Sequence, residues 1–513
     1  MSSDGRGSVA ELKRPAILPT PVLLEEARVT GTPIAGVVTA RALMLAVLAA
    51  AAVPAAGQTT ATERAAAAAV LKQIDSLQAK LTPPRAAQRL VSRADPDRDL
   101  LWQRVERYWT DGLQSLSDHI GRDPEVGWQE RRAVDTLTRV LAAGGFRIEK
   151  GVAELETAFV ATWDSPAGAA GPTLGLIGEY DALRDVAGPF HGDQHNAQTP
   201  VAIAAAFALR DWMREKGVPG RVRLFGTPAE EVGPPAKTIL FQKGVFAGTD
   251  ILVRSHSSTE TARATAGFGV CCLNINEVKY TFTGRPAHQL TSWNGRNALQ
   301  AAVRFYTAVD GLRSTFRPEA SIQGVIPEGG LAPNVVPARA VADFYIRFPD
   351  EVYLEHITRM IDDAARGAAL ATGTEVTIER YGEYRDGITL GTLEELYFAY
   401  AQKLGAPALN PEPQRPAGYE ETGWVTREIP GIGVSVFSSR GTYHTREMEA
   451  DGLGATGHAA FLMDAKIMAA ILFDFAVDER LRGAVREEHG AMKDLLGEYH
   501  RRLREVYRAE VGG

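Results

Sequence analysis

The residues with chemistry to offer fall into four short stretches. His191 and His195 stand either side of Asp193 in FHGDQHN. Glu230 and Glu231 are adjacent in GTPAEE. His256 closes ILVRSH, and His444 lies in GTYHT. Asp, Glu and neutral His are the usual oxygen and nitrogen ligands of Zn²⁺ and Mn²⁺. One histidine among ten says little. Four stretches that all carry ligand-type residues say more. Two ions about 3.5–4 Å apart can share a bridging carboxylate and draw other ligands from several loops. Asp193 and His195 are two apart, so both can point into one site. Two adjacent glutamates do not easily reach the same atom. One of them suits an ion, and the other suits a proton taken from water. The same pair would also fit the first turn of a helix, where the dipole favours acids.

A second set lies far away in sequence. His288 is in TGRPAH, Asn334 in APNVVP and Arg347 in YIRFP. Cationic or polar donors of this kind can hold a substrate carboxylate or a developing oxyanion. Each could equally cap a turn or pair with a neighbouring acid.

The elements that must position these residues can be read from periodicity. Residues 62–117 show helical spacing interrupted by Pro83, Pro84 and Pro96. Residues 127–144 read as an amphipathic helix stopped by Gly144 and Gly145. PTLGLIGEYDAL, RVRLFGTPAEE and DILVRSH each read as an apolar strand running into a polar loop. VAIAAAFALRDWMREKG reads as a helix between two of them. This is the strand–helix order of an α/β domain with a mostly parallel sheet, and such sheets place ligands beyond the carboxyl ends of their strands. Residues 271–385 differ, with a β-α-β-β-α-β order that predicts a compact α+β insert. The expected division is therefore 1–57, an N-terminal extension; 58–270 with 386–513, a catalytic domain; and 271–385, the insert. The charged tail from 484 is expected to be helical and to lie on the surface.

Composition excludes several classes. In 513 residues, Lys+Arg number 56 and Asp+Glu 63, a net charge of -7, so no basic excess suggests a nucleic-acid partner. The two cysteines, Cys271 and Cys272, are adjacent, which excludes a disulfide framework or a Cys-rich metal site. Residues 42–56 (ALMLAVLAAAAVPAA) are too few to span a bilayer, which takes about 20 residues. They fit the apolar core of a secretory signal with cleavage near Ala56. A periplasmic or secreted protein is the expectation.

The quoted stretches resemble the M20 family of metallopeptidases and amidohydrolases. They are joined by GEYDAL, NGRNAL, PNVVPARA and GHAAFLMDAKIMA, in the family's order over about 125–478. The branch most resembled holds the aminobenzoyl-glutamate hydrolases and the amino-acid-conjugate hydrolases. The resemblance implies a two-domain metallopeptidase fold whose insert is a lid and dimerisation domain, a homodimer formed through it, and two divalent ions, zinc or manganese. It implies that Asp193 bridges the ions and that His195, Glu231, His256 and His444 complete the ligand set. Glu230 takes the position of the general base. His288 takes that of an insert histidine that reaches the partner subunit's site. Asn334 and Arg347 take substrate-binding positions, and Asp181 that of a carboxylate holding a ligand. The implied reaction is hydrolysis of an amide in an N-acyl or N-aroyl amino acid or a dipeptide with a free carboxylate. Alternatives are an exopeptidase or deacylase on other amides, and a non-catalytic binding protein on the same fold.

This chain departs from that branch in its first loop. Asp193 stands where cysteine is usual, and Gln194 where glycine is usual. A carboxylate can bridge two ions and is not oxidisable. Glutamine does not adopt glycine's conformations without cost.

Overall fold

A computed structural model describes residues 61–268, 274–414 and 422–509. The apolar run at 42–56 and its expected cleavage point lie outside the described residues, as do Cys271 and Cys272.

Four helices open the described chain: α1 (Ala61–Leu81), α2 (Pro83–Ser92), α3 (Pro96–Tyr108) and α4 (Gln114–Arg122). The prolines start helices, because a first-turn residue needs no N–H. Asp95 caps α3 by accepting from the amides of Asp97 and Arg98. Helix α5 spans Arg131–Ala143 and begins four residues later than its periodicity predicts. Residues 125–130 form a turn instead. Trp128 sits at φ 67°, and Glu130 at ψ 42° has left the helical region. Val126 pairs there with Ala182, which helical backbone would not permit.

The main sheet holds β1 (Arg147–Lys150), β2 (Phe159–Asp164), β3 (Thr173–Gly178), β4 (Arg221–Gly226), β5 (Ile251–Ser255) and β10 (Gly431–Val434). Its order is β1-β2-β4-β3-β5-β10. Strands β4, β3, β5 and β10 run parallel, β2 is antiparallel to β4, and β1 is antiparallel to β2. Helix α6 (His195–Lys216) follows the first histidine loop and is buried from His195 to Arg210. Its alanines allow it to lie close under the strands. Because four strands share one direction, Gly178, Gly226, Ser255 and Val434 all end at the same edge. The polar loops that follow them are therefore gathered by topology.

The insert contains β6 (Asn274–Thr283), α8 (Ala298–Leu312), β7 (Ser321–Glu328), β8 (Arg339–Phe348), α9 (Glu351–Thr372) and β9 (Glu375–Tyr384), with the short α7 (Ala236–Gln242) preceding it in the main domain. The sheet order is β7-β8-β6-β9, antiparallel throughout. One face buries Tyr280, Phe282, Phe344 and Ile346 against Phe305 of α8 and Ile357 and Ile361 of α9, a core separate from the main one. The expected β-α-β-β-α-β order is what the structure shows, so the architecture is α/β in two domains.

Three long helices follow the insert among the described residues: α10 (Gly391–Leu404), α11 (Ala455–Val477) and α12 (Glu479–Ala509). Helix α12 is not a surface appendage. Leu481, Val485, Met492, Leu495 and Leu496 join the main core, while Leu503 and Tyr507 join the insert's core. Arg504 also donates to Glu351 of the insert at 3.2 Å. An apolar stripe at helical spacing runs through this segment under a heavily charged composition. Among the described residues, no helix is long and apolar enough to cross a membrane.

Candidate metal centre

Three groups of ligand-type side chains meet at the carboxyl edge of the main sheet: Asp193, Glu231 and His444; His195, Glu230 and Glu231; and Glu179, His195 and His256. All six metal-site and proton-carrier residues expected from the sequence thus lie in one cluster. Asp193 and His195 come from the loop into α6, and Glu230 and Glu231 from the loop after β4. His256 directly follows β5, and His444 lies in the segment after β10. Glu230 and Glu231 are in a loop rather than at a helix start, since α7 begins only at Ala236.

The geometry is close. His444 Nε2 lies 3.3 Å from Asp193 Oδ2 and 3.6 Å from Glu231 Oε2. The rings of His195 and His256 are 5.7 Å apart. Backbone bonds fix the loops to one another, with His444 N donating to Gly192 O and His256 N to Val434 O, each at 3.0 Å. Asp181 holds two members at once: its Oδ1 faces His195 Nδ1 at 2.9 Å, and its Oδ2 accepts Glu231 N at 2.9 Å. Ser257 donates to Asp193 Oδ1 at 3.2 Å.

These residues fit a pair of divalent ions. With His195 Nδ1 turned to Asp181, its buried Nε2 has no hydrogen-bond partner and faces the cluster. That is how a ligating histidine is usually set by a carboxylate behind it. The carboxyls also repel one another. Burial pushes Glu230 up to about 8, with Lys237 opposing and Glu179 adding. Burial likewise holds Glu231 well above the usual range, with Glu230 and Asp193 adding. A dication placed among them would reverse that balance. The hydrogen bond with Asp193 raises His444, and Asp193 itself is held low against burial by His444, His256 and His195.

Gln194 adopts the left-handed conformation at φ 57°, the glycine-like backbone that its position requires. Its side chain compensates by donating to Met448 O at 2.8 Å and packing on Gly452. The loop therefore keeps its shape without glycine.

Sequence reasoning missed three supporting residues. Glu179 is completely buried, pairs with the equally buried Lys237 at 2.7 Å and accepts from Gln198 Nε2 at 2.6 Å. Burial would raise its pKa, but Lys237, His195, Arg254 and His256 hold it below the usual range. A lone lysine entering the apolar run AKTIL was the only signal. Glu130, buried at the end of the 125–130 turn, also reaches the loop before Glu230.

The insert residues do not join the cluster. His288 is exposed and caps a short helix, its Nδ1 accepting Leu290 N at 3.1 Å. Asn334 lies beside it, its carbonyl accepting Gln289 N at 3.0 Å. Arg347 lines a cleft of about 390 Å³ on the open face of the insert sheet with Gln323, Asp343, Tyr345 and Tyr381. Of the aromatic residues near these loops, Trp293 is exposed, Trp424 is half-buried against Phe241, and Tyr443 lies 6.3 Å from the His256 ring.

Comparison with known proteins bears on the family and the fold. A family profile described as a peptidase dimerisation domain matches residues 273–372. The Xaa-Arg dipeptidase of Mus musculus is 31% identical over 390 residues, covering 73% of this chain and 88% of that protein. One of the two chains of the p-aminobenzoyl-glutamate hydrolase of Escherichia coli is 30% identical over 334 residues, covering 60% of this chain and 67% of that one. Among solved structures, a dinuclear metal-binding peptidase from Bacillus subtilis superposes with a TM-score of 0.50 at 19% identity, covering 72% of this chain and 99% of that one. That similarity speaks for the fold.

Proposed function

This chain belongs to the M20 metallopeptidase family, and from that premise we propose that it hydrolyses the amide bond of an N-acyl or N-aroyl amino acid, or of a dipeptide, with a free carboxylate. The observation that carries the reading is the convergence of Asp193, His195, Glu230, Glu231, His256 and His444 at one sheet edge. In this reading Asp193 would serve both ions, Glu231 and His444 would hold one, and His195 and His256 would hold the other. Glu179 stays in support, because its oxygens are taken by Lys237 and Gln198. The metal pair, zinc or manganese, supplies Lewis acidity toward the amide carbonyl and toward water.

The chain's own residues do the rest. Glu230 accepts a proton from the attacking water and delivers it to the leaving amine nitrogen, so the amide and water become an acid and an amine. Burial raises its affinity for that proton. Asp181 keeps His195 in one tautomer and holds the Glu231 backbone. Arg347 and Asn334 supply donors for the substrate carboxylate, and His288 supplies one for the oxyanion. His288 and Asn334 are exposed together on the insert, which suits delivery to the site of a second copy across an insert-mediated dimer. The similarity to an Xaa-Arg dipeptidase and to an aminobenzoyl-glutamate hydrolase supports both dipeptide and N-aroyl substrates. Export through the apolar run at 42–56 is part of the proposal.

The test is direct. Purified protein loaded with zinc or manganese is incubated with a mixed set of N-acyl amino acids, N-aroyl amino acids and dipeptides. Free amino acid is read by mass spectrometry. Chelator-sensitive release is expected. No release from any member, with metal shown to be bound, would overturn the substrate reading and favour a binding role.

A further inference from the structure

The turn leading into α5 braces the candidate centre from outside the ligand set. Val126 bridges to Ala182, and Glu125 O accepts Ala182 N at 2.8 Å, so the turn holds the residue next to Asp181. Gly127 lies directly on the loop after β4. A β-carbon there would stand 3.0 Å from Ala229 Cα and 2.4 Å from Val232 Cγ2. Glu130 ends the turn completely buried, and its Oε1 accepts Ala229 N at 2.8 Å. Ala229 is itself buried and sits at φ 54°, a left-handed conformation that a residue with a β-carbon rarely holds unaided. Pro228, just before it, has no amide hydrogen to donate. Two amides therefore anchor this loop on buried carboxylates: Ala229 N on Glu130 and Glu231 N on Asp181. Glu230 stands between them.

We propose that Glu130 is a positioning residue for Glu230: its carboxyl holds the Ala229 amide, keeps the strained turn in place and so aims the Glu230 side chain. The effect on turnover rests on the reading of Glu230 as proton carrier. The hold on the loop does not. Burial pushes Glu130 up to about 7, with Asp181 adding. An oxygen that accepts one N–H does so whether or not the group is charged, so glutamine is a fair replacement.

The test uses the full chain as wild type, Glu130→Gln and Glu130→Met, each loaded with zinc. Methionine keeps the length and removes the acceptor. Glu130→Met is expected to lose up to about 100-fold in kcat, the scale of a small displacement at a reacting group. KM and metal content should stay close to wild type, and Glu130→Gln should restore turnover. Independently, hydrogen exchange of the 227–233 peptide should rise about fivefold or more in the methionine variant, the worth of one hydrogen bond, and not in the glutamine variant. Exchange at the wild-type rate in Glu130→Met would overturn the proposal. So would an equal loss of kcat in both variants, or a loss that merely follows lost metal. Should Glu130→Met not fold, Glu130→Asp, one methylene too short, carries the same expectations. If the wild type hydrolyses no amide at all, the reading of function falls, and the exchange rates alone decide whether Glu130 holds the loop.

Discussion

Replacing Asp181 by asparagine should weaken one ion of the proposed pair and leave the other nearly untouched. Asp181 places one oxygen 2.9 Å from His195 Nδ1 and the other 2.9 Å from Glu231 N. Asparagine keeps a single oxygen. If that oxygen stays on the Glu231 amide, the new NH₂ faces His195 Nδ1 and donates to it. The ring proton then moves to Nε2, the nitrogen that faces the cluster. A nitrogen carrying a proton offers no lone pair to an ion. Loss of such a partner behind a ligating histidine costs about 10–100-fold in metal affinity, or about 1.4–2.7 kcal/mol. The ion assigned to His195 and His256 should bear that cost. The ion assigned to Glu231 and His444 should not, because His444 is reached from a different loop. Competition against a chromophoric chelator, fitted to two sites, reads both affinities, with circular dichroism to verify the fold. Wild-type affinity at both sites would refute the reasoning, and so would an equal loss at both in a folded protein.

Other perturbations separate the remaining roles. Glu230→Gln should leave both ions bound and lower kcat by about 10²–10⁴-fold, the usual worth of a general base; full activity would remove Glu230 from the mechanism. Glu394 tests the fold away from the centre. Burial pushes it up to about 8 from 4.5, while its carboxylate accepts Ala264 N at 3.0 Å. Between those two values the folded chain keeps a proton that the unfolded chain has released, so stability should fall as pH rises from 4.5 to 8. At 1.36 kcal/mol per pKa unit the fall is roughly 3–5 kcal/mol, and Glu394→Gln should abolish it; urea midpoints at pH 5 and 8 that differ equally in both proteins would contradict the assignment. Leu503→Ala, in the part of α12 that enters the insert core, should destabilise by about 2–5 kcal/mol. A shift in urea midpoint worth less than about 1 kcal/mol would mean that α12 does not hold the insert.

Much of the architecture was legible because its signals are local. The insert's strands alternate and its helices keep their period, so its element order needed no tertiary information. The apolar strands running into Asp181, Glu230–Glu231 and His256 showed where ligands would stand. Three features were hidden by the same locality. Helix α12 carries its apolar stripe beneath so many charges that it read as surface. The 125–130 turn continues the amphipathic pattern of α5, and only its pairing with Ala182 and Ala229 shows that it is not helical. Lys237 looks like any lysine until it is seen wholly buried against Glu179.

The sequence by itself determined the kinds of chemistry available: carboxylates and imidazoles at strand ends, no thiol framework, no overall basic excess. Side-chain type is a property of each residue, and periods of two and 3.6 are properties of neighbours along the chain. Only the tertiary structure decided which of these groups meet. Four parallel strands bring residues 193, 231, 256 and 444 together across more than two hundred positions, and burial then couples their charges. The same folding leaves His288 and Asn334 exposed on the insert, although their sequence context looks no less functional. Proximity and burial are set by packing between distant segments, and no local pattern records them.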